Sequence, residues 1–450
     1  MKLEQKIADK TAHVAVVGLG YVGLPLAVEF AREGFAVTGI DIDARKIGSL
    51  NRGVSYIPDV PTAQVKTVIA KKKFSATEDF SAVAAVDVIF ICVPTPFDAM
   101  KAPDLAPVLN ATKSIAPHLR AGQLVILQST TYPGTTEEVC LPILETSGLR
   151  AGKDFHLAFS PERIDPGATS SAGWNVKNTP KVLGGLTPRC TALAQALLVH
   201  LTPNVCVVSS PRAAEMSKLL ENIFRSVNIA LVNELALLAE RMNIDIWEVI
   251  EAAKTKPFGF MPFYPGAGVG GHCIPVDPYY LSWKAREYDF YTRFIELAAD
   301  INQGMPYHVV KLAHDALGQT RKSLNGARVL VLGVSFKPDV DDARNSPAER
   351  VIELLLGYGA RVSYHDPFVP QFHVGGDVFH RARVELESVP LTPATLKQAD
   401  VVIIVTAHRK VNYARVVANA ALVVDAPNAT RRLKHRENVI RVGAPRARKE

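Results

Sequence analysis

Residues 13–23 of the chain read His-Val-Ala-Val-Val-Gly-Leu-Gly-Tyr-Val-Gly. A short run of β-prone residues passes directly into glycines spaced as G-x-G-x-x-G, and apolar residues recur with a helical period from 24 to 32. This order predicts a strand, a tight turn and a helix, which is the unit that opens a doubly wound α/β sheet. A second strand is expected over 35–40, and it ends at Asp41, 21 residues after Gly20.

Each glycine of this turn has its own physical role in binding a dinucleotide. Gly18 permits the tight turn, Gly20 lets the backbone approach a pyrophosphate, and Gly23 allows close packing of the helix whose N-terminus stabilises the phosphate charge. Asp41 can accept hydrogen bonds from both ribose hydroxyls, and its charge would repel a 2′-phosphate. The pattern therefore predicts an NAD site rather than an NADP site. A glycine turn beside a surface aspartate is the alternative interpretation.

Strands and helices alternate along most of the chain. Further strand-like runs lie at 86–93, 124–127, 155–159 and 205–208. After position 213 the apolar residues recur every three or four positions, which predicts one long amphipathic helix of about 25 residues. The alternation resumes at 328, so the architecture of the first part is expected to repeat.

We therefore predict an α/β protein with two doubly wound Rossmann-like domains joined by a central helical domain that contains one long helix. The expected boundaries are 1–208, 209–318 and 319–450. Only Gly333 stands in the second Rossmann-like domain where the first has three glycines. A dinucleotide is therefore not expected to bind there in the same way.

The long helix carries three polar residues, Lys218, Asn222 and Arg225, spaced about one turn apart. They are expected on the side of the helix that lies away from its apolar stripe. A helix of this length exceeds what one small domain needs to cover. We expect it to link two domains and to pack against a partner subunit.

Composition and charge exclude several classes of protein. The net charge is +7, but residues 431–450 hold eight Lys or Arg against two acids, so the rest of the chain is close to neutral. A short basic tail without interleaved aromatic residues does not predict a nucleic-acid partner. The first twelve residues have no apolar signal region and no stretch reads as a membrane span, so a cytoplasmic location is expected. The chain has five cysteines, which is an odd number, and they are widely spaced. This predicts free thiols and no metal site.

Polar residues follow the expected strands of the first domain. They are Thr95, Ser129, Thr130 and Glu162. Each alone is more often a helix cap or a loop residue. Because ligands of doubly wound sheets bind at the carboxyl ends of the strands, these residues together predict the rim of a site.

The loop at 266–277 reads Gly-Ala-Gly-Val-Gly-Gly-His-Cys-Ile-Pro-Val-Asp. Its glycines let the main chain approach a ligand and present Cys273, followed by Asp277, so a nucleophilic thiol is predicted. A buried structural cysteine is the alternative. A metal site from these two residues and His272 is disfavoured, since adjacent residues chelate one ion poorly. His272 is interpreted as a neighbour that supports the backbone.

A segment at 336–347 lies between an expected strand and an expected helix. It reads Phe-Lys-Pro-Asp-Val-Asp-Asp-Ala-Arg-Asn-Ser-Pro and mixes two cations with several hydrogen-bonding groups. It could hold a diphosphate, and a surface charge cluster would read the same in isolation.

Seven motifs resemble, in order, the signature set of the nucleotide-sugar 6-dehydrogenases. They are GLGYVG, VPTP, STTYPGTT, SPERIDPG, EMSKLLEN, GVGGHCIPVDP and GVSFKPDVDDARNSP, between residues 13 and 430. SPERIDPG is similar to the UDP-N-acetylhexosamine branch, notably the UDP-N-acetylglucosamine 6-dehydrogenases. The resemblance implies oxidation of a sugar 6-alcohol to a carboxylate with two NAD per turnover. It also implies a homodimer or larger homo-oligomer built around the long helix.

The resemblance implies roles for particular residues. The catalytic set is Cys273 as nucleophile, Lys218 and Asn222 at the reacting oxygen, Asp277 with Thr130 at the water, and Glu162 near the reacting centre. The cofactor set is Gly18, Gly20, Tyr21, Val22, Gly23, Asp41, Thr95, Ser129, Thr130 and Arg344. The substrate set is Glu162, Arg163, Lys218, Asn222, Gly270 and Lys337.

One position departs from the family pattern. Relatives commonly have an arginine within a VVDTRN-like segment, whereas this chain has Pro427. A basic contact to the nucleotide is then either missing or supplied by Arg431 or Arg432. This departure bears on affinity and not on the reaction type.

Other functions fit parts of the pattern. UDP-N-acetylmannosamine and UDP-glucose are alternative substrates. A one-step 3-hydroxyacid dehydrogenase also joins a Rossmann domain to a helical domain with a lysine, but it needs neither the cysteine nor the second α/β domain. A non-catalytic sensor of NAD or of a nucleotide sugar is a further alternative.

Overall fold

Residues 2–98, 100–164, 174–272, 274–376 and 380–445 are described in a computed structural model of the chain. The chain forms two units. The first comprises Met1–Glu221 and Tyr279–Phe290, and the second comprises Asn222–Pro278 and Tyr291–Glu450. Within the described residues, no helix has both the length and the apolar character to cross a bilayer.

The first unit contains an eight-stranded sheet. Its strands are β1 His13–Val17, β2 Ala36–Ile40, β3 Phe74–Thr77, β4 Val88–Ile91, β5 Leu124–Leu127, β6 His156–Phe159, β7 Lys181–Gly185 and β8 Val205–Val207. They are ordered β3-β2-β1-β4-β5-β6-β7-β8, and β6 and β7 pair antiparallel while the other neighbours are parallel. The first six follow the Rossmann order, so the predicted doubly wound sheet is confirmed.

Helices cover both faces of this sheet. The α-helices are Leu3–Ala8, Gly23–Arg32, Ala44–Asn51, Thr62–Ala70, Ala106–Ile115, Leu141–Leu144, Pro188–Leu198 and, from residue 279 onward, Asp277–Ala285. Shorter turns are the 3₁₀ segments Phe80–Ala85, Ala116–His118, Glu145–Ser147 and Arg286–Tyr288, and a π-helix at Thr135–Cys140. The side chains of β4 and β5 are buried throughout, as expected for parallel strands with helices on both sides.

The long helix spans Pro211–Met242, which is 32 residues, more than the sequence predicted. Its polar residues Lys218 and Asn222 are buried, at 8% and 3% exposure. Several apolar residues are instead between 40% and 59% exposed, namely Met216, Leu220, Phe224, Leu231, Leu235, Leu238 and Met242. Lys218 and Asn222 thus lie away from these exposed apolar residues, on the buried side of the helix, whereas Arg225 is exposed. Apolar residues cover more of this helix than one buried side requires.

The second unit contains a five-stranded parallel sheet and a two-stranded antiparallel ribbon. The strands are β9 Arg328–Leu332, β10 Arg361–His365, β11 Gln371–Val374, β12 Val384–Glu387, β13 Val401–Ile404, β14 Val423–Asp425 and β15 Val439–Arg441. The sheet is ordered β10-β9-β13-β14-β15, and β11 pairs with β12. This is again a doubly wound order, so the predicted repeat of the architecture is confirmed.

The remaining helices belong to the second unit. They are Ile246–Ala253, Arg293–Gln319, Pro347–Gly357, Pro393–Gln398 and Tyr413–Asn419. Residues 442 and 443, just after β15, pack on the first of them: Trp247 Nε1 donates to the Val442 carbonyl and the Ile246 amide donates to the Gly443 carbonyl, both at 2.8 Å. A Cβ atom on Gly443 would lie 2.4 Å from Cγ2 of Ile246. The chain after β15 is therefore part of this core.

Candidate functional site

The glycine turn after β1 leaves one side of its backbone open. A Cβ atom on Gly18 would lie 2.6 Å from the Cys92 carbonyl oxygen, and one on Gly23 would lie 1.8 Å from the Gly18 carbonyl oxygen. These two glycines are required by close packing, and Gly18 also has φ +91°. Among the described residues, no atom outside the chain neighbours of Gly20 lies within 4 Å of a Cβ placed there, so that face can receive a ligand. The helix that begins at Gly23 directs its N-terminus to the same turn.

Asp41 follows β2 directly and is buried beside this turn. Its Oδ2 accepts the Leu19 amide at 2.8 Å and lies 3.1 Å from Lys46 Nζ, while Oδ1 accepts the Asp43 amide at 3.0 Å. A carboxylate has about four acceptor sites, so capacity remains for a ribose hydroxyl. The open face at Gly20 and this carboxylate fit an NAD molecule. Tyr21 and Val22 pack partly buried against the core beneath.

The predicted rim residues follow neighbouring strands of the sheet. Thr95 comes after β4, Ser129 and Thr130 come after β5, and Glu162 comes after β6. Ser129 is buried, and its hydroxyl donates to the Val93 carbonyl at 2.7 Å. The structure thus brings all four residues to the carboxyl edge of adjacent strands.

The side chain of Glu162, which is 12% exposed, lies in a set of donors that the sequence analysis missed. Its Oε2 lies 3.0 Å from Lys181 Nζ and from Gln128 Nε2, and its Oε1 accepts the amides of Arg163 and Ile164. Burial raises the pKa of Glu162, but the Lys181 ammonium and these hydrogen bonds hold it below its usual value. Glu162 is therefore ionised. Lys181 is the first residue of β7. This strand was not predicted from the sequence, because it contains two glycines, which are uncommon in strands.

Two further side chains fix the loops around this edge. Glu215, wholly buried near the start of the long helix, accepts the amides of Gly134 and Thr136 at 2.6 and 2.9 Å. Burial raises the pKa of Glu215 to about 7. Tyr280, also wholly buried, donates its hydroxyl to the Thr95 carbonyl. Both act on predicted site loops from distant parts of the chain.

Arg163 is held at the same edge by an ion pair. Its Nη2 lies 2.7 Å from Glu221 Oε1, and its Nη1 donates to the Pro180 carbonyl at 3.0 Å. A role for Arg163 in substrate binding stays a prediction.

In the second unit, the glycine-rich loop lies against the 336–347 segment. Asn345 Nδ2 donates to the Gly271 carbonyl at 3.1 Å. A Cβ atom on Gly270 would lie 2.7 Å from the Asn345 carbonyl oxygen, and one on Gly271 would lie 3.0 Å from the Phe336 ring. The two segments that the sequence analysis treated separately are therefore in direct contact, and the glycines allow it.

His272 joins the same two segments through a charge. Its Nε2 lies 3.0 Å from Asp342 Oδ2, and Arg344 Nη2 lies 2.7 Å from the same oxygen. Although burial raises the pKa of Asp342, hydrogen bonds from His272 and Arg344 place it well below its usual value. His272 thus does more than support its own backbone.

Asn222 and Asp277 meet in the second unit. Asn222 Nδ2 donates to Asp277 Oδ2 at 2.6 Å, and both side chains are buried. Lys218 precedes Asn222 by one turn of the long helix. Cys273 lies outside the described residues, so its position relative to this pair stays a prediction. The last five residues of the basic tail, 446–450, also lie outside the described part.

Pro427 lies in the turn that follows β14. Asp425, wholly buried, accepts the Thr430 amide in that turn at 2.8 Å. Arg431 and Arg432 are exposed. Arg441, which the sequence analysis did not consider, places Nη1 3.4 Å from Asn428 Oδ1 in the same turn.

The described cysteines are free, and the described residues contain no cluster of metal-ligating side chains. Cys92, Cys140 and Cys190 are buried, and Cys206 is exposed.

Models of one protein family match most of the chain. They are described as the NAD-binding domain, the central domain and the UDP-binding domain of the UDP-glucose/GDP-mannose dehydrogenase family, over residues 12–202, 212–304 and 330–432. The chain belongs to this family. It is therefore an NAD-dependent dehydrogenase, as the sequence predicted.

Individual relatives in the family are similar over most of their length. A UDP-N-acetyl-D-glucosamine 6-dehydrogenase of Pseudomonas aeruginosa is 42% identical over 80% of this chain and 84% of its own. A UDP-N-acetyl-D-mannosamine dehydrogenase of Pyrococcus horikoshii is 38% identical over the same shares. The solved structure of a UDP-D-ManNAc dehydrogenase from Pyrococcus horikoshii matches 96% of this chain and 99% of its own, with TM-score 0.85 and 32% identity.

Proposed function

We propose that the protein oxidises the C6 hydroxyl of a UDP-sugar to the carboxylic acid, with UDP-N-acetylglucosamine as the substrate. The observation that carries the proposal is the match to all three domains of the family, the UDP-binding domain included. A one-step 3-hydroxyacid dehydrogenase needs no such third domain. The product would be a precursor for polysaccharide or glycan synthesis.

The proposed chemistry is two oxidations at one carbon. NAD, when bound, accepts the hydride from C6 in each oxidation. The first oxidation leaves an aldehyde, which has no hydroxyl to drive a second hydride transfer. The thiol sulfur of Cys273 therefore adds to C6, and the carbonyl oxygen takes a proton to give a thiohemiacetal.

Loss of the second hydride from C6 and of the hydroxyl proton gives a thioester. Water then adds to C6, the C6–sulfur bond breaks, and the thiol of Cys273 is restored as the acid forms. The sum is one alcohol, two NAD and one water giving one carboxylic acid, two NADH and two protons. The count of NADH therefore distinguishes this reaction from a one-step oxidation.

Other residues have proposed roles around C6. Lys218 and Asn222 stabilise the oxygen as negative charge develops on it, and Asp277 with Thr130 orients the water. Asn222 donates a hydrogen bond to Asp277 at 2.6 Å, which supports roles for both residues at one site. Glu162, held ionised by its donors, remains an acceptor near the reacting centre.

Stabilisation of the oxygen outweighs activation of the thiol. A thiol with a pKa of about 8.5 is roughly 3% thiolate at pH 7, so lowering that pKa to about 7 gains only about fifteenfold. A positioned donor to an oxyanion contributes about 3 to 4 kcal/mol, or a few hundredfold. Lys218 is therefore proposed to contribute more to the rate than thiolate formation does.

The sugar is proposed from identity among relatives. The glucosamine-type relative is 42% identical and the mannosamine-type relative 38%, over equal shares of the chain. UDP-N-acetylmannosamine is therefore the second candidate, favoured by the solved structure from Pyrococcus horikoshii.

We also propose a homodimer. The apolar residues exposed along Pro211–Met242 form a stripe with spacings of mostly three or four residues, such as Leu231, Leu235 and Leu238. Covering such a stripe removes apolar surface from water, at about 25 cal/mol per Å². Sedimentation of the purified protein should give twice the mass of one chain.

A panel of UDP-sugars tests the function. NAD reduction is measured with UDP-N-acetylglucosamine, UDP-N-acetylmannosamine and UDP-glucose, and NADH is counted per substrate consumed. We expect two NADH and the highest kcat/KM with UDP-N-acetylglucosamine. Cys273→Ala should form no acid but bind NAD normally, with Cys206→Ala as the control. One NADH per substrate, or undiminished acid from Cys273→Ala, would refute the mechanism.

A further inference from the structure

The second unit repeats the turn that forms the NAD-binding edge of the first. Gly333 follows β9 as Gly18 follows β1, and both have positive φ, +80° and +91°. Asp366 follows β10 as Asp41 follows β2. Each aspartate accepts the amide of the residue after that glycine at 2.8 Å. The same local framework therefore carries an acid at the same place in both units.

The two acids differ in what else they bind. Asp366 accepts hydrogen bonds of 2.8 to 3.1 Å from the amides of Val334, Ser335, Phe368 and Val369 and from His408 Nε2. The side chains of Asp366 and His408 are both wholly buried. With five donors and no exposure, Asp366 has no capacity for a ribose hydroxyl. This supplies a physical reason for the expectation that a dinucleotide does not bind here as it does in the first unit.

His408 connects the carboxylate of Asp366 to the loop that carries Lys337. Its Nδ1 accepts the Asp339 amide at 3.0 Å, so the proton of the neutral ring is on Nε2, which donates to Asp366 at 3.0 Å. The Phe368 ring packs against His408 with centroids 5.2 Å apart. The imidazole is thus a rigid link between the end of β10 and the loop.

The loop is held on both sides of Lys337. Ser335 Oγ, 3.3 Å from His408 Nε2, donates to the Lys337 carbonyl at 2.9 Å. Asp339 has φ +62°, which is unfavourable for a non-glycine residue, and its amide is the one bound by His408. The ring therefore stabilises a backbone conformation that the residues alone would not favour.

We propose that His408, together with Asp366 and Ser335, is a positioning residue for nucleotide-sugar binding, because it fixes the loop that presents Lys337. This inference rests on the proposed function, in which Lys337 contacts the substrate. Asp41 binds the cofactor in the first unit, whereas Asp366, at the equivalent place in the second unit, fixes the loop that binds the substrate. His408 itself touches no reacting atom.

Variants at His408 test the inference. His408→Leu removes both hydrogen bonds, whereas His408→Asn keeps an acceptor near the position of Nδ1. His373→Leu, an exposed histidine of β11, is the matched control. We measure KM for UDP-N-acetylglucosamine, KM for NAD, kcat, the Kd of UDP by calorimetry, and the thermal midpoint.

For His408→Leu we expect KM for the UDP-sugar and the Kd of UDP to rise about tenfold or more, with kcat and KM for NAD within about twofold. His408→Asn should recover most of this loss. If His408→Leu does not fold, Ser335→Ala should shift the same two constants by a few fold.

Unchanged UDP affinity in a folded His408→Leu variant would overturn the inference. An equal loss in kcat and in both KM values, not recovered by His408→Asn, would also overturn it, since that is the result of general damage. If the wild type reduces no NAD with any UDP-sugar, the proposed function fails. The UDP calorimetry still decides the inference in that case.

Discussion

Asn345 donates its side-chain amide to the Gly271 carbonyl at 3.1 Å, which joins two segments 74 residues apart in the chain. The contact depends on glycine, because a Cβ atom on Gly270 would lie 2.7 Å from the Asn345 carbonyl oxygen. We expect Gly270→Ala to lower kcat/KM roughly 100-fold through displacement of the loop. Gly266→Ala is the control, because no described atom outside its chain neighbours lies within 4 Å of the added Cβ, and its kcat/KM should stay within about twofold of wild type. Equal activity in both variants, measured by NAD reduction, would contradict this.

Asp41 is expected to select NAD. Asp41→Asn keeps an acceptor for the Leu19 amide but loses the negative charge that would repel a 2′-phosphate. We predict a KM for NAD raised about tenfold and a measurable rate with NADP. Asp43→Asn, which changes the helix cap nearby, should leave the ratio of NAD to NADP rates unchanged. An unaltered ratio in Asp41→Asn would show that another group selects the cofactor.

Lys218 is predicted to stabilise the reacting oxygen. Lys218→Ala should lose a few hundredfold in kcat while its affinity for NAD is largely kept. Arg225→Ala, an exposed residue two turns further along the same helix, is the control and should keep kcat. A Lys218→Ala rate within threefold of wild type would count against the assignment.

Lys181 is expected to stabilise the fold through its ion pair with Glu162. Its removal leaves a carboxylate whose side chain is only 12% exposed without its cation. The wild-type ion pair holds the pKa of Glu162 below its usual value, so its contribution to stability is present above that usual pKa and is lost as pH falls. In Lys181→Met the ionised carboxylate of Glu162 destabilises the fold instead of stabilising it. We expect the free energy of unfolding to fall by about 3 to 5 kcal/mol at neutral pH and by less in acid.

Lys177→Met provides the comparison. Lys177 is half exposed and pairs with Glu29 and Glu33, so its loss should cost about 1 kcal/mol or less. Thermal midpoints of the two variants at about pH 5 and pH 8 test this prediction. A loss in Lys181→Met that does not grow with pH would contradict it.

Glu215 gives the opposite pH dependence. Burial raises its pKa to about 7, so its contribution to stability is fully present below the unfolded-state pKa of about 4.3 and is lost as pH rises through 7. The full effect on the free energy of unfolding is about 4 kcal/mol. Glu215→Gln cannot ionise, so its thermal midpoint relative to wild type should improve between about pH 5 and pH 8. Glu234→Gln, exposed on the same helix, should follow wild type.

Sequence alone predicted the parts of the fold that depend on neighbouring residues. The turn at Gly18 to Gly23 and the acid at Asp41 are local patterns with fixed spacing, and the structure places them as expected. Lys181 and His408 could not be found in this way. Each acts on a residue from another strand, and neither stands in a motif.

Which side of the long helix is exposed could not be predicted for a related reason. Apolar residues such as Leu220 and Leu235 extend around the helix, and periodicity does not state which part of a wide stripe is covered within one chain. Lys218 and Asn222 are both buried, and Asp277 accepts a hydrogen bond from Asn222, which satisfies that buried amide. A polar residue on an apolar helix therefore does not by itself mark the outer side.

The last described residues have a consequence for synthesis. Val442 and Gly443 accept hydrogen bonds from Trp247 and Ile246, which precede them by almost 200 residues. A ribosome must synthesise residues 442 and 443 before these partners are available, so the helix at Ile246–Ala253 cannot finish packing before that point of translation. A purification tag at this end needs a linker that begins after Ala444, and a nonsense codon before position 442 would leave Trp247 exposed to chaperones and proteases.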